Sequence, residues 1–142
     1  MLRRLLVVLV LSLLLTPMLA IAGDTTTEKA TTLPAGGGEP GKAYMTYTKA
    51  FASGDVAALK KMVTTDRAKQ LDDPKIKEML PMMQSMQAKD IKVNGGTMTS
   101  KEATLNVEGK DETGAKETGT VHMVLEDKLW KIEKESWSMG SK

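Results

Sequence analysis

The run Glu102-Ala103-Thr104-Leu105-Asn106-Val107-Glu108 and the later run Thr120-Val121-His122-Met123-Val124-Leu125 decide the fold. In the first, Ala103, Leu105 and Val107 alternate with Thr104, Asn106 and Glu108. In the second, Val121, Met123 and Leu125 alternate with Thr120, His122 and Val124. Successive side chains of a strand point to opposite faces, so a period of two describes a sheet with one apolar and one wetter face. Such a face must be covered, and the residues between 40 and 90 carry the helical periodicity that would cover it.

Working forward from these runs, Glu126-Asp127-Lys128 forms a short hairpin turn into a further strand over 129–137. Trp130 and Ile132 share a parity there, whereas Trp137 and Met139 have the opposite one. A bulge near Lys134 would bring all four to the apolar side. Working backward, Ile91 and Val93 start a strand that Asn94-Gly95-Gly96 bends and Thr97 to Thr99 resumes. That makes four strands in a meander.

Three helices precede them. The first runs over 40–53 and sets Tyr44, Tyr47 and Phe51 along one face at spacings of three and four. Gly54 supplies its left-handed stop, and Asp55 caps a second helix over 56–63 with Val56, Leu59, Met62 and Val63 inward. Thr65 or Asp66 caps a short continuation to Leu71. Asp73-Pro74 opens a third helix, along which Ile76, Met79, Leu80, Met83 and Met86 form an apolar stripe. Pro81 is expected to kink or divide it. The fold class is therefore α+β, three helices packed on a bent four-stranded antiparallel sheet.

Two segments lie outside that domain. Arg3 and Arg4, an apolar run from Leu5 to Leu15, Pro17 and Ala20-Ile21-Ala22 read as a secretory signal over 1–22, cleaved after Ala22. The absence of cysteine excludes disulfides, thiolate metal sites, a cysteine nucleophile and a lipidated amino-terminal cysteine. A periplasmic or secreted location follows, with no membrane attachment after cleavage. Residues 23–39, rich in threonine and glycine, read as a mobile linker, leaving 40–139 as the folded domain. The 142 residues suffice for one domain. Without Arg3 and Arg4, basic and acidic residues balance at 18 each, which offers no electrostatic footprint for nucleic acid.

The chain resembles the nuclear-transport-factor-2-like superfamily. Phe51-Ala52-Ser53-Gly54-Asp55, Ala103-Thr104-Leu105-Asn106-Val107 and Lys128-Leu129-Trp130-Lys131-Ile132 with Trp137 carry the resemblance, over 40–137. It implies a sheet bent into a cone around a long helix, and looks closest to small secreted members without assigned function. That superfamily hosts isomerases, dehydratases and many binding domains, so the fold leaves function open.

Proton abstraction in such a cone needs an inward base in an apolar cavity. The inward positions read from the alternation are apolar. Glu117 shares their parity but lies at a strand end, His122 alternates outward, and the Glu and Lys residues of 131–135 read as a solvated edge. An inward carboxylate or histidine in a cavity above about 300 Å³ would favour an enzyme. The leading expectation is a non-enzymatic binding or accessory module, a monomer or homodimer, with no cofactor. Its small apolar pocket would be lined by Tyr44, Tyr47, Met83, Trp130 and Trp137, for a small apolar ligand or a protein partner. A cone-type lyase or isomerase acting on a small hydrophobic substrate is the alternative. The cluster Met79, Met82, Met83 and Met86 offers thioethers for Cu(I), although three of the four share the stripe of Ile76 and Leu80 and read as core. No phosphate loop, zinc spacing or nucleophile elbow is present.

Overall fold

A computed structural model describes residues 28–139. The expected signal over 1–22 lies outside them. The elements are β1 (Thr31–Leu33), α1 (Gly38–Ser53), α2 (Val56–Met62), α3 (Thr65–Gln70), α4 (Pro74–Ser85), β2 (Lys89–Met98), β3 (Glu102–Lys110), β4 (Lys116–Glu126) and β5 (Leu129–Met139). The strands form one antiparallel sheet in the order β1-β2-β3-β4-β5. The architecture is α+β, with four helices and five strands in place of the three and four read from sequence.

The fifth strand corrects the linker. Thr31 to Leu33 pairs with Met98 to Gly96 at the sheet edge, and Leu33 is buried. One apolar side chain and a ladder of backbone hydrogen bonds order a segment whose composition alone would leave it loose. Gly36 N–H donates to the Val93 carbonyl at 2.8 Å, tying the approach to α1 onto β2.

Local chemistry sets the helix ends. Gly54 closes α1 at φ 73°, and the Asp55 carboxylate accepts from Ala58 N–H at 3.0 Å to open α2. Thr64 and Asp73 cap α3 and α4 in the same way. Pro81 lies inside α4, which continues from Pro74 to Ser85 without division.

Both expected bulges are present. Pairing between β2 and β3 passes from Val93↔Val107 to Gly95↔Asn106, leaving Asn94 unmatched. Gly95, at φ 120°, has the Leu33 carbonyl 2.7 Å from where a Cβ would sit, so only glycine allows β1 to pair there. Pairing between β4 and β5 passes from Met123↔Ile132 to His122↔Lys134, leaving Glu133 unmatched. Beyond that point Glu135 faces Val121 and Trp137 faces Gly119.

The core joins the apolar face of the sheet (Val93, Ala103, Leu105, Val107, Val121, Met123 and Ile132) to Tyr44 and Tyr47 of α1 and to Leu59 and Val63 around α2. Two inward assignments fail. Leu125, at the tip of the β4–β5 hairpin, is exposed. The methionine stripe of α4 is not core either: Met79, Met83 and Met86 are 37–68% exposed, and Leu80 is the buried residue of that helix, while Met82, read as off the stripe, is exposed as well. Met83 and Met86 border cavities rather than packed side chains.

Candidate functional site

A carboxylate sits under the tyrosines of α1. Tyr44 and Tyr47, one turn apart, each donate their hydroxyl to Glu135, at 3.0 Å to Oε1 and 3.0 Å to Oε2 respectively. Arg67 of α3 approaches from the far side of Tyr47. Its Nη2 donates to Glu135 Oε2 and to the Tyr47 hydroxyl, both at 3.3 Å, and its guanidinium lies 5.8 Å from the Tyr47 ring centre. The Glu135 and Arg67 side chains are only 19% and 24% exposed. Arg67 Nη1 is buried without a hydrogen-bond partner among the described residues.

The cluster fixes protonation at the phenols. Burial foremost, and then the negative charge of Glu135, push the ionisation of Tyr44 and Tyr47 well above the usual phenol range. Both remain donors at any ordinary pH. The rings continue as an aromatic row, Tyr44 to Tyr47 at 6.1 Å and Tyr47 to Phe51 at 6.0 Å between centroids.

This row backs a half-open cavity of about 350 Å³, lined elsewhere by Met83 and Met86 at the end of α4, by Gln87, Ala88 and Ile91, and by Glu117, Glu135 and Trp137 of the sheet. Gly119 makes room for the Trp137 ring: a Cβ there would lie 2.7 Å from the Ser136 carbonyl oxygen and 2.9 Å from Trp137 Cδ2, so the bare backbone lets the indole approach β4. A second cavity of about 170 Å³, lined by Arg67, Ile76 and Leu80 among others, shares Tyr47, Phe51 and Met83 with the first. A wider cleft of about 680 Å³ is an open charged groove lined by Asp66, Lys101, Glu102, Glu126 and Lys134, and Arg67 and Glu135 of the cluster line it too.

Of the residues picked out in the sequence, Tyr44, Tyr47, Met83 and Trp137 meet at the 350 Å³ cavity. Trp130 does not. It lies in a separate depression with Lys42, Met62 and Lys128, because it precedes the bulge and sits near the hairpin tip. His122 is exposed on the outer face, 3.3 Å from Thr104 Oγ1.

The expectation that no ionisable group faces inward is overturned by Glu135. The signal was in the sequence: a bulge that turns Trp137 inward also turns inward the residue two before it. Arg67 had no such signal, since six helical residues are too few for a periodicity. Among the described residues no group of three or more His, Cys, Asp or Glu is arranged to hold a metal ion, and no helix is long and apolar enough to cross a membrane.

The fold and this site define a class, a small α+β domain with an aromatic cavity floored by a tyrosine–carboxylate–arginine cluster. No family model matches the chain, and no curated protein or solved structure matches it.

Proposed function

We propose that this protein is a periplasmic or secreted, non-enzymatic binding module of the nuclear-transport-factor-2-like kind, holding a small, largely apolar ligand between α1, α4 and β5. The observation that carries this reading is the 350 Å³ cavity, with its aromatic wall and a few polar groups held rigidly at one side. Apolar area gives affinity in such a site and fixed polar groups give orientation. Tyr44, Tyr47 and Arg67 are engaged with Glu135, so the array is built to hold its shape. Native mass spectrometry of the protein purified from its own host tests this. Retained organic mass that is lost in a Trp137→Ala variant supports it, whereas a bare chain that also fails to take up any apolar probe opposes it.

A second reading, a cone-type lyase or isomerase, draws on Glu135 itself, an inward carboxylate at a cavity above about 300 Å³. Deuterium uptake from D₂O into small ketones, abolished by Glu135→Gln with binding kept, would establish it. The exposure of four methionines on α4 also supports thioether binding of Cu(I), which the same mass spectra would show as bound metal.

A further inference from the structure

We infer that the ligand of the 350 Å³ cavity is a small lipophilic organic cation, of the quaternary or tertiary ammonium class. The inference rests on the binding reading above and specifies the charge of what is bound. Its first support is the lining: two carboxylates, Glu117 and Glu135, reach this cavity, and no lysine or arginine lines it. Arg67 offsets Glu135 from behind Tyr47, but Glu117 has no ion-pair partner among the described residues. Lys116, the nearest lysine in sequence, is paired with Glu108 at 2.8 Å on the other face of the strand.

The second support is independent of charge count. Phe51 and Trp137, both partly exposed, present aromatic rings to this volume, backed by Tyr47 and Tyr44, which are only 3% and 0% exposed. An alkylammonium is attracted to aromatic ring faces, and cages of such rings are the recurrent means by which proteins hold quaternary ammonium groups. The methionines at the rim, Met83 and Met86, are polarizable and adapt to an alkyl tail. An anionic ligand would meet the uncompensated charge of Glu117, and an uncharged ligand without a hydrogen-bond donor would gain nothing from it.

The test uses the full chain carrying Trp130→Phe, which leaves Trp137, at the cavity, as the single tryptophan reporter. Benzyltrimethylammonium is compared with neopentylbenzene, its uncharged carbon isostere, and with phenylacetate, by tryptophan emission. The expected result is binding of the cation at least tenfold tighter than of the isostere, with no detectable binding of the anion. Glu117→Gln should weaken the cation severalfold and leave the isostere unchanged, with the melting temperature unaltered. Equal or tighter binding of the isostere overturns the cation assignment and leaves an apolar binding module standing. Tighter binding of phenylacetate also overturns it. Binding of none of the three overturns both.

Discussion

Glu135 is the residue on which the site turns. Its carboxylate receives two phenol hydroxyls and one guanidinium, and each of these is largely buried. Replacing Tyr44 or Tyr47 with Phe removes one bond to a charged acceptor and should lower stability by about 1.5–3 kcal/mol. Glu135→Ala should cost about 3 kcal/mol, because it leaves Arg67 buried without its counter-charge. Shifts in urea midpoint at unchanged slope would measure both. The raised phenol ionisation adds a pH dependence. The unfolded tyrosines release their protons near pH 10.0, while the folded ones keep theirs. Their contribution is therefore complete below pH 10 and is lost as pH rises, by about 1.4 kcal/mol per pH unit for each tyrosine. A variant with both tyrosines replaced by Phe should show a correspondingly flatter alkaline limb in its stability–pH curve.

Among the elements, α4 is the one held most lightly. Leu80 is its buried side chain, and two side-chain amides, one in its last turn and one just past its end, tie the region to α1: Gln84 Nε2 donates to the Phe51 carbonyl at 2.8 Å and Gln87 Nε2 to the Thr48 carbonyl at 3.2 Å. Pro81 removes one helical hydrogen bond as well. With Leu80 its one buried residue and its methionines at least a third exposed, the helix has little apolar area to keep it down. Leu80→Ala should cost about 2–3 kcal/mol and accelerate amide exchange over 74–85 before the sheet responds. Dilute hydrogen peroxide should oxidise Met82 and Met86 early and Met123, 1% exposed, last, as peptide mass spectrometry would record. A ligand seated in the larger cavity should protect Met83 and Met86 and leave Met82 unprotected.

For the molecule as a whole, the open sheet has two edges of different kinds. β1 is three residues long and blunts one edge, while the β5 edge is covered in part where Thr64 N–H donates to the Ile132 carbonyl at 3.1 Å. Because Leu33 is buried and Gly36 is bonded to β2, β1 is part of the fold. Leu33→Ala should lower stability by about 2 kcal/mol, and limited proteolysis should spare 31–39 in the native chain. Cleavage within 31–39 at the rate of an unfolded peptide would show that the strand contributes nothing.

Much of this architecture was legible in the chain because it follows from local rules. Alternation over 102–108 and 120–125 set the faces of β3 and β4. Gly54 with Asp55 separated α1 from α2, and Asp73-Pro74 started α4. Even the β5 bulge was implied by the parity of its tryptophans. Tyr44, Tyr47, Met83 and Trp137 could be named as one lining because helix and strand periods each pointed them inward. What only the tertiary structure decided depends on partners far apart in sequence. Glu135 lies 91 residues from Tyr44 and 68 from Arg67, and no local pattern says that three donors will converge on it. Leu33 is buried only because Gly96 brings a bulged strand beside it. Met79, Met83 and Met86 obey the helical rhythm of a core stripe yet remain exposed, since periodicity gives the direction of a side chain and not whether anything fills the space it faces.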